Sequence, residues 1–154
     1  MTALPTLSDD YRAIVHSRFD DRTPDVIESQ IRAVLEFLHI ASNADGMFIP
    51  LTRAADDVWH ELIVETKYYF DLCSRLPGGS YMHHHAIGIE DYAAQLGKRE
   101  TVQQFLSWIP LRVRLFGEFT ADDKANWAVL EFLEDEVGLS LEQINELGKT
   151  HAAS

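Results

Sequence analysis

The sequence predicts an all-α protein, a single-domain helical bundle built around a central helix at residues 52–76. Every long segment has apolar residues spaced three and four apart, which is the period of an amphipathic helix. Cap residues and glycine or proline stops separate these segments at helical lengths. The chain has 154 residues, of which 46% are hydrophobic, so it can bury one core but hardly two. Because no internal repeat or linker divides the sequence, we expect residues 1–154 to form one domain.

Two helices are predicted in the first part of the chain. Ser8 can cap a short helix over residues 9–19, because its hydroxyl can accept a hydrogen bond from a first-turn amide. Thr23 followed by Pro24 is typical of a second helix start, since proline fits the first helical position. The polar face of this second helix is expected to carry Glu28, Arg32 and Glu36.

The central helix is predicted to follow an extended connector at residues 47–50. Thr52 can cap this helix, and the Pro77-Gly78-Gly79 sequence should end it. Helical spacing marks one inward stripe along it: Ala55, Val58, Trp59, Leu62, Ile63, Thr66, Tyr69, Phe70, Cys73 and Leu76. A helix of this length would be the element around which the others pack.

Shorter helices are predicted after the His run. Residues 90–96 and 99–108 each suit one helix, and Pro110 is expected to interrupt the second of them. Residues 111–119 are compatible with a helix or a strand, because their valine, leucine and aromatic side chains suit both.

The last two helices have clear boundary signals. Thr120 can cap a helix over residues 121–137, and Gly138 should end it. Ser140 followed by Gln143 has the spacing of a capping box, which predicts the start of the final helix.

The chain is strongly acidic. Its 13 Lys and Arg residues against 25 Asp and Glu residues give a formal net charge of −12. Phosphate backbones and anionic lipid surfaces would repel such a protein, so neither nucleic-acid binding nor membrane binding is expected. No apolar stretch approaches the length of about 20 residues that spans a bilayer, and no secretory signal is expected. With Cys73 as the single cysteine, no internal disulfide can form, and the predicted location is cytoplasmic.

One stretch of the sequence carries the residue types of a metal site. Asp56 and His60 are four residues apart on the predicted central helix, so a carboxylate oxygen and an imidazole nitrogen can face one ion. A loop after the Gly-Gly break could add His83 and His84 as ligands, with His85 beside them. Mixed oxygen and nitrogen ligands suit zinc, iron or manganese. Asp56 and His60 could equally form a hydrogen-bonded pair in which the carboxylate orients the ring.

Simpler interpretations apply to the same residues. His60-Glu61 begins like a zinc-protease motif, but no second histidine follows at the required spacing. The histidines at residues 83–85 could form an exposed loop that binds nothing. Trp59 lies on the apolar stripe and is expected in the core, and Cys73 is predicted to be a buried, unreactive thiol rather than a nucleophile.

A pattern of separated residues runs through positions 37–86: Asp56-x-x-Trp59-His60, Thr66-x-x-Tyr69, Leu72-Cys73, Gly79 and His83-His84. It resembles the signature of the glycine-rich domain-containing protein-like family, found in small bacterial proteins and in the N-terminal part of larger plant proteins. The resemblance implies these signature positions: Asp56, His60, Thr66, Tyr69, Cys73, His83 and His84. It implies no particular reaction. The chain departs from the family pattern at Ala55, Leu72, Met82, His85 and Ala86, and the last two bear on the path of the His loop.

Two functional hypotheses follow. In the first, the protein binds a divalent metal through Asp56, His60, His83 and His84. The surrounding pocket would then consist of Trp59, Thr66, Tyr69, Cys73 and His85. In the second, the protein is a non-enzymatic structural or protein-interaction module, with a buried brace of Asp56, Trp59 and His60 and a protein partner bound elsewhere. A His cluster that responds to pH is a third interpretation.

Overall fold

The computed structural model describes residues 3–42, 51–79, 81–82 and 94–152, and most of them are helical. The all-α prediction is confirmed, since extended pairing within those ranges is limited to an isolated bridge between Leu51 and Trp127. The helices are α1 Asp9–Ser17, α2 Pro24–Ala41, α3 Arg53–Val64, α4 Thr66–Ser74, α5 Lys98–Phe116, α6 Ala128–Val137 and α7 Leu141–Ala152. A 3-10 helix, Ala121–Ala125, precedes α6. The predicted connector at residues 47–50, the His run and most of the predicted helix at residues 90–96 lie outside the described residues.

Local sequence signals set the helix ends as predicted. The hydroxyls of the predicted N-caps accept hydrogen bonds from amides three residues later, at 3.2, 3.3 and 3.4 Å for Ser8, Thr23 and Thr52. Gly138 ends α6 in the left-handed region, with φ 76°, where a side chain would be strained. Ser140 and Gln143 exchange the two hydrogen bonds of a capping box, at 2.9 and 3.2 Å. These predicted helix boundaries are therefore confirmed, whereas α1 ends at Ser17 rather than at residue 19.

The central helix is broken at Glu65, so the prediction of one helix over residues 52–76 is wrong. Glu65 has φ −86° and ψ 71°, which lies outside the helical region and separates α3 from α4. The core-facing side of α4 differs from the prediction only in part, since Tyr69 and Cys73 are buried as predicted. Leu72 is buried, whereas Thr66 is exposed and Phe70 is 66% exposed. The inward positions predicted for Thr66 and Phe70 are therefore wrong.

Helix α5 runs unbroken through Pro110, so the predicted interruption is wrong and the chain is helical up to Phe116. Proline lacks the amide that would donate to the carbonyl four residues earlier, which costs the helix one hydrogen bond. The residues around it are nevertheless buried: Trp108, Ile109, Arg112 and Val113. Their packing offsets the local cost of the proline.

The helix predicted over residues 121–137 is divided in two. Thr120 does begin a helical segment, with its amide donating to the carboxylate of Asp123 at 2.7 Å, but this segment is the 3-10 helix. Trp127 then adopts extended backbone, with φ −113° and ψ 101°, before α6 starts. Trp127 is fully buried and its ring centroid lies 5.1 Å from that of Trp108. Burial of this large ring accounts for the turn that divides the helix.

Two sets of helices share one core. Helix α2 packs against α3, and α5 packs against α7. The α5–α7 contact is close at Gly148, where an added Cβ would lie 2.4 Å from Cγ2 of Val113. Two hydrogen bonds at Thr52 join the two sets: its amide donates to the Asn126 carbonyl at 2.9 Å, and its hydroxyl to the Ala125 carbonyl at 2.6 Å. We call this pair of bonds the Thr52 junction.

A buried ion pair also joins α2 to α5. Glu36 is 2% exposed, so its predicted place on the polar face of α2 is wrong. Nη2 of Arg112 lies 3.0 Å from Oε2 of Glu36, and Arg112 is 1% exposed. Nη1 of Arg112 donates to the Gly117 carbonyl, and the guanidinium carbon lies 4.5 Å from the ring centroid of Phe119. Burial raises the pKa of Glu36 and lowers the pKa of Arg112, while the opposite charge of each partner acts against the shift.

Candidate functional site

Asp56 and His60 lie one helical turn apart on α3, as the sequence predicted. The inner side of this helix is formed by Val58, Trp59 and Leu62, which are all buried. Asp56 is half-buried and His60 is exposed. The pair therefore lies at the boundary between core and solvent, where an ion could reach it, and His60 lies outside the buried layer.

Trp59 and Tyr69 connect α3 and α4 to a distant point in the chain. The Tyr69 hydroxyl accepts a hydrogen bond from Nε1 of Trp59 at 3.1 Å and donates one to the Met82 carbonyl at 2.6 Å. Both side chains are buried, with exposed fractions of 5% for Trp59 and 0% for Tyr69. The Tyr81 ring packs edge-on against Tyr69, with centroids 5.3 Å apart. We call these contacts the Trp59–Tyr69–Met82 tie.

The Trp59–Tyr69–Met82 tie ends immediately before the histidines of the candidate site. Met82 is followed in the sequence by His83, His84 and His85, which lie outside the described residues. Trp59, at the other end of the tie, is followed in the sequence by His60. The Tyr69 hydroxyl thus bonds to the residue that precedes His60 in the sequence and to the residue that precedes His83.

The remaining predicted pocket residues separate into buried and exposed ones. Cys73 is a free, buried cysteine, as predicted for a core thiol. It lies in the same apolar cluster as Trp59 and Tyr69. Thr66, at the start of α4, is exposed instead. Of the predicted pocket, the structure therefore brings together Trp59, Tyr69 and Cys73 but not Thr66.

Two buried tyrosines are expected to stay protonated until the protein unfolds in alkali. Burial raises the pKa of Tyr11 and of Tyr69 above the ordinary tyrosine value of about 10. Above about pH 10 the folded state therefore holds more protons than the unfolded state, so its stability falls as the pH rises further. In a titration followed by tyrosinate absorbance, both residues should ionise only together with unfolding.

The variants Tyr11→Phe and Tyr69→Phe show which residues ionise late in that titration. Each should remove one late-ionising group from the five tyrosines of the chain. Ionisation of every tyrosine before the loss of helical circular dichroism would contradict the prediction.

Within residues 3–42, 51–79, 81–82 and 94–152, no three His, Cys, Asp or Glu side chains are grouped as metal ligands. No helix in the same part of the chain is both long enough and apolar enough to cross a bilayer.

The sequence reasoning missed the buried pair of Glu36 and Arg112. A signal for Glu36 was present, because it lies within a run of apolar residues that leaves α2 without a clearly polar side. A helix that is apolar all round is buried all round, and a charge within it then needs a buried partner. No comparable local signal identifies Arg112 as that partner.

Comparison of the chain with known proteins found no matching family model, no matching curated protein and no matching solved structure. The resemblance to the glycine-rich domain-containing protein-like family therefore depends on the residues quoted for it and stays a prediction. The candidate site is accordingly argued from the chain itself: from the spacing of Asp56 and His60 and from the Trp59–Tyr69–Met82 tie.

Proposed function

We propose that the protein binds a divalent metal ion at the outer edge of α3, with Asp56 and His60 as two of its ligands. His83 and His84 would supply the others. The observation that carries this proposal is the double hydrogen bond of the Tyr69 hydroxyl, to Trp59 at 3.1 Å and to Met82 at 2.6 Å. It brings the backbone that leads into the His run close to the residue that precedes His60.

The ligand types limit which metals the site would take. One carboxylate and two or three imidazoles suit zinc, iron or manganese, whereas calcium and magnesium prefer oxygen ligands alone. Four protein ligands would close the coordination shell and make the metal structural. Three would leave a position at which the metal could activate water. The formal net charge of −12 favours the approach of any cation.

The first test is metal content in protein produced without a His-tag. We expect a metal-to-protein ratio near unity after incubation with zinc, iron(II) or manganese and removal of the excess by gel filtration. At a free metal concentration 100 times the Kd, the ion should add about 2.7 kcal/mol to the free energy of unfolding. A chelator should reverse this gain.

The variants His60→Ala and His16→Gln make a matched pair for this test. His60→Ala removes a proposed ligand and should abolish the stabilisation by metal. His16 lies on α1, where it pairs with Glu28 at 3.5 Å, and its replacement should leave metal binding unchanged. Tag-free protein that remains metal-free, with the same unfolding temperature in the presence of each ion, would rule out the proposal.

A second candidate function is a structural or protein-interaction module that needs no metal. The observation favouring it is that the Trp59–Tyr69–Met82 tie is buried and internally hydrogen-bonded, so it can stabilise the fold by itself. Because His60 is exposed, the brace in this case would consist of Trp59 and Tyr69. Function would then reside on a surface that binds a protein partner.

Stability measurements with and without a chelator separate the two functions. If the protein is a module of this kind, Tyr69→Phe lowers the stability and the chelator has no effect on either protein. If it binds a metal, the chelator lowers the stability of the wild-type protein to that of His60→Ala. In metal-free protein, His60→Ala itself should change the free energy of unfolding by no more than about 0.5 kcal/mol, as for other surface substitutions.

A further inference from the structure

An open apolar groove lies along α7, far along the sequence from the candidate metal site. Its volume is about 460 Å³, and it is lined by Leu139, Glu142, Gln143, Glu146, Leu147 and Thr150. Leu139 and Leu147 are partly buried, and the other four residues are exposed. We call this surface the α7 groove: two leucines bordered by polar and acidic side chains.

The packing of α7 explains why this side of the helix is open. Ile144 is buried, and Gly148 lies so close to α5 that an added Cβ would be 2.4 Å from Val113. The side of α7 that contains Ile144 and Gly148 is therefore used for the core. Leu147, next to Gly148 but turned about 100° around the helix, remains partly accessible.

The charge around the α7 groove is negative and only partly compensated, since Lys124 pairs with Glu134 and Lys98 with Glu136 on neighbouring α6. Between Lys124 and Lys149 the sequence contains six acidic residues and no Lys, Arg or His. Lys149 already lies 2.7 Å from Glu118 and 2.9 Å from Glu146. Glu142 forms no ion pair within the part of the chain that the structure describes. A cation that approaches the groove would therefore find a carboxylate without a counter-ion.

We propose that the α7 groove binds a basic amphipathic helix of a partner protein. The two leucines would take a large apolar side chain of that helix. Lys or Arg residues flanking it would pair with Glu142 and would share Glu146 with Lys149. The groove residues from Gln143 to Thr150 follow one side of α7 over about 10 Å, which is two helical turns and suits a helix laid alongside. A second copy of this chain fits less well, because it would bring the same acidic border against this one.

The probe for this test is a synthetic amphipathic peptide of leucine and lysine, about five helical turns long, with a leucine–glutamate peptide as the negative control. We expect the lysine peptide to bind with amide chemical-shift changes centred on residues 139–150, and the glutamate peptide not to bind. Because part of the attraction is electrostatic, added salt should weaken the binding.

Two matched pairs of variants separate groove binding from general attraction to an acidic protein. Leu147→Ala should weaken binding about tenfold, whereas Val137→Ala, which truncates a 42% exposed residue on α6, should not. Glu142→Gln should weaken binding. Glu131→Gln, which removes the same charge from an exposed position on α6, should have little effect. Circular dichroism of each variant checks that it is folded.

Several results would overturn the proposal. If Glu142→Gln and Glu131→Gln weaken peptide binding equally, the peptide binds through the overall negative charge of the protein rather than at the groove. Unchanged binding by Leu147→Ala would exclude the two leucines as the apolar contact. Self-association that Leu147→Ala abolishes, without peptide binding, would assign the groove to a second copy of the chain. None of these results bears on the metal proposal, because the α7 groove contains none of the proposed ligands.

Discussion

Replacing Arg112 by methionine is expected to lower the free energy of unfolding by about 3–5 kcal/mol. The substitution removes the positive charge 3.0 Å from Oε2 of Glu36, which is 2% exposed, and leaves that carboxylate with the exposed Arg32, 3.3 Å from Oε1, as its remaining counter-ion. It also removes the hydrogen bond to the Gly117 carbonyl and the contact with the Phe119 ring. The loss therefore comes mainly from a buried carboxylate that one exposed arginine compensates only in part, and to a smaller extent from lost packing.

The double variant Arg112→Met with Glu36→Leu tests that explanation. It removes both charges and keeps similar side-chain volumes, so it should recover most of the stability lost in the single variant. Arg114→Met is the matched control, because Arg114 is exposed on the same helix and its loss should cost about 0.5 kcal/mol or less. Urea unfolding followed by circular dichroism measures all three. A double variant no more stable than Arg112→Met would contradict the charge explanation.

Replacing Asn145 by leucine is expected to cost about 2–4 kcal/mol. The Asn145 side chain accepts a hydrogen bond from the Phe119 amide at 2.8 Å and donates one to the Phe119 carbonyl at 2.9 Å. Both bonds are buried, and Asn145 itself is 8% exposed. Leucine has the same branched shape but is larger, and it satisfies neither backbone group. The expected cost is therefore that of two buried polar groups left without partners.

Asn145→Asp is the informative comparison for this prediction. Aspartate can still accept from the Phe119 amide, but when ionised it cannot donate to the carbonyl and brings a charge into a buried place. We expect its stability to rise as the pH is lowered and the carboxyl group becomes protonated, whereas the stability of Asn145→Leu should not depend on pH in this way. A loss of less than about 1 kcal/mol for Asn145→Leu would show that the Phe119 groups find other partners.

The helix ends could be predicted because their causes are local. Each predicted N-cap accepts a hydrogen bond from the amide three residues later, so the whole interaction lies within four consecutive residues, as at Ser8, Thr23 and Thr52. The break at Glu65 has no such local cause, since neither glycine nor proline lies there. Its carboxylate instead lies 3.2 Å from Arg18, the residue that follows α1, which is a long-range contact.

The burial of side chains was predictable from helical spacing in most of α3 and in part of α4. Within unbroken α3, spacing correctly placed Val58, Trp59 and Leu62 in the core. After the break the same spacing still places Tyr69 and Cys73 correctly in the core, but it fails at Phe70, which is 66% exposed.

The candidate site also has one part that follows from the sequence and one part that does not. The one-turn spacing of Asp56 and His60 follows from the sequence, because it needs only a continuous helix. The hydrogen bond from Tyr69 to Met82 crosses 13 residues and a turn at Gly79, with φ 63°. Its existence depends on the three-dimensional path of the chain after α4, which residue spacing does not determine.

The Thr52 junction has a consequence for the speed of folding. The hydrogen bond between the Thr52 hydroxyl and the Ala125 carbonyl closes a loop of 73 residues. Helices α2 and α3, in contrast, follow one another in the chain, so their contacts join residues that are closer together in the sequence. The entropy lost on loop closure grows with the length of the loop, and nearby segments meet sooner than distant ones. We therefore expect the docking of the two helix sets at this junction, rather than helix formation itself, to set the folding rate.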